Sequence, residues 1–146
     1  NFGNGVTSTL ANPSYTYNNA SNYTVTLIAT NASGCSDTLV FPSQIIVNQT
    51  PRARFNMSPA TGCSPLTVNF TNTSANTSAA TYSWNFGNGN TASTANTSSV
   101  YPDSGTFAVT LLVTNGNGCS DDSVRNVVVN LSPTASATTN DTTGCN

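Results

Sequence analysis

Apolar and polar residues alternate with a period of two along most of this chain. Around its only Trp, the residues Tyr82, Trp84 and Phe86 alternate with polar residues, and Gly87 and Gly89 follow directly. An extended segment with this pattern has one aromatic face, and glycines at its end allow the backbone to turn sharply. The pattern therefore predicts a core β-strand that ends in a tight turn.

Other segments share this alternation and are predicted β-strands: residues 22–30, 44–48, 54–57, 66–71, 106–115 and 124–130. The Ser-, Thr- and Asn-rich residues 90–99 predict short edge strands and loops. The side chains predicted to face inward in the second half are Phe55, Val68, Phe70, Tyr82, Trp84, Phe86, Tyr101, Phe107, Val109, Leu111, Val113, Val127 and Val129. Since burial of a large apolar side chain contributes about 1.5–3 kcal/mol, this set can hold a β-sandwich of about 80 residues.

Several blocks of the sequence occur twice. The letters NFGNG of residues 1–5 return at residues 85–89, and the letters GCSD of residues 34–37 return at residues 118–121, both after 84 residues. The letters TGC of residues 61–63 also return near the end of the chain. A fixed spacing indicates tandem repeats. We expect a window on a longer array: the C-terminal two-thirds of one domain in residues 1–50, a complete domain in residues 51–130, and the first strand and turn of a third in residues 131–146.

The composition argues against most chemical functions. Only 5% of the residues are charged, three Arg and five Asp, and the chain contains no His, Lys or Glu. General acid–base catalysis near neutral pH normally uses those missing residues, and Asp121 and Asp122 are strand neighbours that point to opposite faces. The three Arg form no basic stripe for nucleic acid, and no apolar run approaches the roughly 20 residues that span a bilayer. We therefore predict that this chain is not an enzyme and binds no cofactor.

The aromatic motif carries a resemblance to a known family. The run Trp84-Asn85-Phe86-Gly87-Asn88-Gly89, followed by Tyr101-Pro102-Asp103-Ser104-Gly105-Thr106-Phe107 and an alternating Val-Leu-Val strand, resembles the PKD domain. This resemblance implies tandem immunoglobulin-like β-sandwiches in an all-β chain. The implied core motif consists of Tyr82, Trp84, Phe86, Gly87, Gly89, Tyr101 and Phe107. The family usually has Asp where Asn85 and Asn88 stand, which argues against carrying over a calcium site.

The four cysteines are placed regularly, two in each repeat. Cys35 and Cys119 fall in the last hairpin turn, whereas Cys63 and Cys145 fall in the turn before the second strand. In a sandwich of the implied topology these turns lie at opposite poles, about 20 Å or more apart, and a disulfide needs Cα atoms within about 7 Å. We therefore expect interdomain disulfides with partners outside this chain, each contributing about 2–4 kcal/mol. Four reduced thiols are the alternative, and a zinc site is disfavoured because the chain has no Cys-x-x-Cys spacing.

The side chains support two binding functions less well than a structural role. Asn88, Asn90 and Asp103 could offer oxygen ligands to calcium, but hard cations prefer several carboxylates, and Asn and Asp also stabilise turns. A sugar-binding platform needs exposed aromatic residues, whereas the aromatic residues of this chain have inward parity. Outward apolar residues could form a stripe for lateral contact between copies, or be ordinary surface: Ile28, Ile46, Leu112 and Val128.

Short motifs for glycosylation are also present. Among many Asn-x-Ser/Thr triplets are those at Asn31, Asn72 and Asn96, most of which are expected by chance in so Asn- and Thr-rich a chain. Three Asp-Ser/Thr triplets resemble the O-glycosylation pattern of secreted Bacteroidetes proteins, with acceptors at Thr38, Ser123 and Thr142.

The resemblance and the repeats together point to a mechanical function. The array is similar to the tandem PKD repeats of large Bacteroidetes surface adhesins, which implies a secreted, non-catalytic stalk or filament at the cell surface. Its expected partners are further repeats, neighbouring copies, surface polysaccharide or other cells. The alternative is an accessory module that aids substrate contact in a secreted polysaccharide hydrolase or protease.

Overall fold

A computed structural model of the chain describes residues 1–136, and every regular element within them is a β-strand. The strands are β1 (Ser21–Thr30), β2 (Ser36–Val47), β3 (Phe55–Ser58), β4 (Thr61–Cys63), β5 (Leu66–Asn72), β6 (Thr81–Asn85), β7 (Thr91–Ala92), β8 (Thr97–Tyr101), β9 (Gly105–Thr114) and β10 (Ser120–Asn130). In this part of the chain, no helix has the length and apolarity needed to cross a membrane.

Strands β3–β10 form a two-layered sandwich. One sheet has the order β4-β10-β9-β6-β7 and the other the order β3-β5-β8. Only the pairing of β4 with β10 is parallel, and the other pairs in the sandwich are antiparallel. This architecture confirms the predicted all-β, immunoglobulin-like fold.

The core of the sandwich is aromatic and centred on Trp84, which is fully buried. Its ring centroid lies 5.0 Å from that of Phe55 and 5.6 Å from that of Phe70, and its indole N–H donates to the carbonyl oxygen of Thr94 at 2.9 Å. The predicted inward residues are buried, except that Tyr82 and Phe107 are partly exposed and pack against the core. Alternation of side chains on extended strands therefore places the core as predicted.

Residues 1–47 contain a separate two-stranded antiparallel sheet, β1 with β2. Their register shifts at a bulge: Tyr23 lies opposite Ile45, whereas Val25 lies opposite Phe41. Ser43 in the bulge has a φ of 49°. A bulge of this kind absorbs extra residues in one strand without breaking the pairing of the rest.

Strand bounds depart from the predictions at three places. β2 begins at Ser36 rather than residue 44, and β10 begins at Ser120 rather than residue 124. The start of β10 is polar, and the start of β2 has three polar residues followed by the consecutive apolar residues Leu39, Val40 and Phe41, so neither shows alternation. Antiparallel pairing with the preceding strand extends both. Residues 61–63 are a short strand rather than a turn, since they pair with the end of β10. The predicted third domain falls mostly outside the described residues, and the tandem arrangement stays a prediction.

Candidate functional site

The turn between β9 and β10 presents a polar side chain in a fixed orientation. The Asn115 side-chain oxygen accepts hydrogen bonds from the backbone N–H groups of Asn117 and Cys119, at 3.1 Å each. The Asn115 N–H donates in turn to the Cys119 carbonyl oxygen at 2.9 Å. With its oxygen committed to the turn, the Asn115 amide directs its nitrogen outward to donate to the carbonyl oxygen of Gln49 at 2.7 Å.

Asp121 provides a second contact to the same segment of chain. Its carboxylate accepts a hydrogen bond from the backbone N–H of Ala53 at 2.8 Å. Ala53 is buried, with 6% of its surface exposed. A charge-assisted hydrogen bond to a buried N–H is worth more than a neutral one, and losing it leaves a donor without that partner. Asp121 therefore fixes the point where the chain enters the sandwich.

We call residues 49–53 the linker, and the side chains of Asn115 and Asp121 its socket. A loop on the other side also holds the linker, because Arg52 and Ala75 exchange two backbone hydrogen bonds of 2.9 and 3.0 Å. The Asn76 amide donates to the Thr50 carbonyl oxygen at 3.3 Å, and Pro51, which follows Thr50 in the chain, is buried. The linker therefore continues the sandwich structurally rather than forming a free hinge.

Two of the described cysteines, Cys63 and Cys119, lie at opposite poles of the sandwich. Cys119 directly precedes β10, and Cys63 lies opposite Asn130 at the other end of that strand. Ten residue steps at about 3.3 Å separate these ends by about 33 Å, which excludes a bond between the two cysteines. Cys35, Cys63 and Cys119 are free thiols in the structure, and Cys145 lies outside the described residues. The interdomain disulfides stay a prediction.

The turn after β6 shows what the candidate calcium ligands do. The Asn88 oxygen accepts from the Asn90 N–H at 3.1 Å, and its amide nitrogen donates to the Ser99 hydroxyl at 3.2 Å and the Val100 carbonyl at 3.0 Å. An amide makes all three bonds, whereas a carboxylate could not donate the last. Asn88 is therefore committed to joining the turn to β8. Within residues 1–136, no cluster of three Cys or Asp side chains is placed to hold a metal ion.

Tyr101 closes the core motif. Its hydroxyl donates to the carbonyl oxygen of Phe86 at 3.1 Å, and its ring packs on Phe107 with centroids 4.8 Å apart. Burial disfavours the charged phenolate and raises the pKa of Tyr101 to about 12. The motif residues act together as structural core, and none of these contacts presents an aromatic face to a ligand.

The candidate O-glycosylation acceptors occupy different environments. Thr38 is exposed on β2 and lies opposite Ile28, whereas Ser123 is half-buried on β10 and lies opposite the buried Leu111. Thr142 lies outside the described residues. Modification of these acceptors stays a prediction, and Thr38 is the more accessible of the two described positions.

Sequence reasoning did not identify the socket. Asn115 was predicted only as part of a strand, and Asp121 only as a strand residue unsuited to catalysis. A signal was nevertheless present, because the pattern Asn-x-x-Gly-Cys-Ser-Asp occurs at residues 31–37 and again at residues 115–121. Its first and last positions are the two socket residues.

The second unit is thus an immunoglobulin-like sandwich whose N-terminal linker is pinned to it. The family model described as PKD domain matches residues 1–45 and residues 48–131. The chain therefore belongs to the PKD domain family, and the predicted resemblance is confirmed.

Several solved structures are similar to this chain. One comes from work on the promiscuous specificity of carbohydrate-binding modules from the β-sandwich superfamily. It is 30% identical with a TM-score of 0.53, and the alignment covers 57% of this chain and 35% of the solved chain. The PKD1 domain of Vibrio anguillarum Epp is also 30% identical, with a TM-score of 0.51, and covers 59% of this chain and all of its own. The PKD1 domain of the Vibrio cholerae metalloprotease PrtV is 34% identical, with a TM-score of 0.48, and the alignment covers 56% of this chain and 98% of that domain. No curated protein matches the chain.

Proposed function

We propose that this chain is a structural and adhesive repeat of a secreted cell-surface fibre or giant adhesin, in which it acts as a semi-rigid extracellular stalk. The observation that carries the proposal is the pinned linker. Four of its five residues make hydrogen bonds to the sandwich that follows, and the fifth, Pro51, is buried. Only Asn48 separates this fixed linker from the end of β2, and so short a joint favours transmission of orientation and tension from one unit to the next.

The chemistry of the chain suits such a passive role. PKD domains are typically non-catalytic modules that are common in extracellular proteins, and this chain lacks His, Lys and Glu. Sparse charge and exposed hydroxyl and amide groups fit an outer surface that faces water over a long stalk. The partners that follow from this function are further repeats of the same kind, with surface polysaccharide or other cells at the far end of the fibre.

The stiffness of the joint provides the test. In the Cys119→Ser/Cys145→Ser variant, spin labels on the exposed Cys35 and Cys63 report the distance between the two units by pulsed electron resonance. The stalk function predicts one narrow distance distribution. Adding Asn115→Ala and Asp121→Ala should broaden it, since both side-chain contacts of the socket are then removed. A distribution that is already broad with the socket intact would contradict the proposal.

An accessory module of a secreted polysaccharide hydrolase or protease is the second candidate. It is favoured by the 30% identity to the carbohydrate-binding-module structure and by an open groove of about 540 Å³ between β7 and β8, lined partly by Asn90, Thr91 and Ser98. The aromatic residue of that groove, Phe86, is only 2% exposed, so the groove offers no stacking platform for a sugar ring. Retention of the isolated chain on insoluble chitin or cellulose would favour this candidate, and passage without retention favours the stalk.

A further inference from the structure

The turn between β1 and β2 repeats the turn that builds the socket, bond for bond. The Asn31 side-chain oxygen accepts from the N–H groups two and four residues later, at 3.0 Å each, as that of Asn115 does at 3.1 Å each. The closing backbone bonds have the same lengths in both turns, 2.9 and 3.0 Å. Gly34 and Gly118 have φ values of 82° and 79°. The two turns therefore present the same groups in the same orientation.

Asn31 and Asp37 stand where the second unit has Asn115 and Asp121. Asn115 is 7% exposed because the linker covers it, whereas Asn31 and Asp37 are both exposed. The turn commits the Asn31 oxygen, which leaves its amide nitrogen to point toward the position that Gln49 occupies in the second unit. The first unit thus carries the polar half of a socket that is open to solvent.

The inner face of the β1–β2 sheet is open in the same way. Leu27 lies 84 residues before Leu111 in the repeat, yet Leu27 is 57% exposed and Leu111 is fully buried. Leu39 and Phe41 are 53% and 38% exposed on the partner strand. In the second unit, the first half of the domain (β3, β5 and β6) supplies the Phe55, Phe70 and Trp84 rings of the buried core that contains Leu111.

The rest of the first unit is already arranged as in a complete domain. The Tyr17 hydroxyl donates to the Phe2 carbonyl at 2.9 Å, which reproduces the contact between Tyr101 and Phe86 at 3.1 Å. A Cβ added at Gly3 would lie 2.5 Å from a backbone oxygen of β1, as one at Gly87 would lie 2.7 Å from the equivalent oxygen of β9. Residues 1–47 therefore have the arrangement of the second half of a PKD fold.

We propose that residues 1–47 bind the first half of a further repeat of the same kind. Asn31 and Asp37 receive its linker, which has the chemistry of residues 49–53, and the apolar inner face receives strands like β3, β5 and β6. This inference rests on the proposed function and names its immediate partner. The occupant is an additional repeat rather than a second copy of this chain, because residues 51–86 of any copy are engaged in their own sandwich, where Trp84 is fully buried and Phe55 and Phe70 nearly so.

An extended chain tests this directly. A second copy of residues 49–84 is joined to Asn1, so that the junction of Trp84 with Asn1 reproduces the natural junction of Trp84 with Asn85. Trypsin then reports each linker separately, since each contains one Arg52–Ala53 bond. We expect the added bond to resist cleavage as well as the original one does. Both Trp residues should show the blue-shifted emission of a buried indole.

The two sockets serve as matched controls for each other. Asn31→Ala with Asp37→Ala should raise cleavage of the added linker about tenfold or more and leave the original linker unchanged. Asn115→Ala with Asp121→Ala should do the reverse. Rapid cleavage of the added linker with the first socket intact would overturn the proposal. A cleavage rate of the added linker that Asn31→Ala with Asp37→Ala leaves unchanged would also overturn it. A dimer of the unextended chain that buries Leu27 would overturn the choice of occupant. Failure at the first socket can be told apart from failure of the stalk function, because the joint-stiffness test uses the second socket and no added segment.

Discussion

Replacement of Asp121 by Ala should loosen the linker without unfolding the sandwich. The carboxylate of Asp121 lies 2.8 Å from the N–H of Ala53, which is 6% exposed. Removing the acceptor leaves a buried donor without this partner, at a cost of about 1–3 kcal/mol. If this cost falls on the local opening of the linker, the population of the open linker rises about 5- to 150-fold. Asp121→Asn should have a smaller effect, because an amide oxygen still accepts the bond but without the charge.

Limited trypsin digestion measures this opening, because the chain has only three cleavable residues. Arg52 and Arg54 lie in or beside the linker, and Arg125 lies in the middle of β10. When opening is fast relative to cleavage, the cleavage rate follows the open population. Mass spectrometry of the digest should show faster cleavage after Arg52 in Asp121→Ala, with the rate after Arg125 little changed.

The neighbouring carboxylate provides the matched control. Asp122 carries the same charge, points to the opposite face of the sheet and is exposed. Asp122→Ala should change the free energy of unfolding by no more than about 0.5 kcal/mol and leave cleavage after Arg52 unchanged. Equal cleavage in the two variants would refute the assigned role of Asp121. Faster cleavage after both Arg52 and Arg125 would show that Asp121 stabilises the whole sandwich rather than the linker.

Three further predictions concern the aromatic motif and its turn. Gly87→Ala should lower the free energy of unfolding more than Gly89→Ala in denaturant titrations. Both glycines have positive φ, which costs an L-residue about 1–2 kcal/mol. Only at Gly87 would the added Cβ also lie 2.7 Å from a backbone oxygen. Asn88→Asp should destabilise by about 1–3 kcal/mol at neutral pH, because a carboxylate would face the Val100 carbonyl oxygen. This contact would raise the folded-state pKa of the new carboxyl above its unfolded value of about 3.9, so the loss should shrink as the pH falls through the folded-state pKa and be smallest below about pH 4, where the protonated carboxyl can donate. The folded-state pKa of Tyr101 is raised to about 12 from 10.0, so its contribution to stability is complete below pH 10 and is lost as the pH rises toward 12. The midpoint temperature of thermal unfolding should therefore fall less steeply over this pH range in Tyr101→Phe than in the unmodified chain.

The sequence was informative wherever a local rule determines the structure. Alternation assigned the inward side of each strand, and it therefore identified Trp84, Phe70 and Leu111 as core before any pairing was known. The glycines after Phe86 located the turn, because only a residue without Cβ tolerates both the positive φ and the close approach to β9 at Gly87. The failures occurred where pairing overrides composition. The polar start of β10 is a strand only because β9 lies beside it.

The same local rules could not predict the socket, because its contacts join distant parts of the chain. Asn115 contacts a residue 66 positions away, and Asp121 one 68 positions away. Neither side chain has a local pattern that specifies which backbone group will lie beside it. Only the second occurrence of the Asn-x-x-Gly-Cys-Ser-Asp block indicates that both residues belong to the repeating pattern, and only the folded position of the linker shows what the block contacts.

The placement of the thiols bears on how such a joint would carry load. Cys119 belongs to the turn that holds the linker, since the Asn115 oxygen binds the Cys119 N–H while the Asn115 amide binds Gln49. Cys63 lies at the other pole, beside the strand end from which the chain leaves the sandwich. A disulfide between Cys119-type and Cys63-type positions of successive repeats would therefore run alongside the linker and make a second covalent connection across the same joint. Tension would then be shared between the two connections, and the hydrogen bonds of the socket would mainly set the angle between units rather than bear the pull.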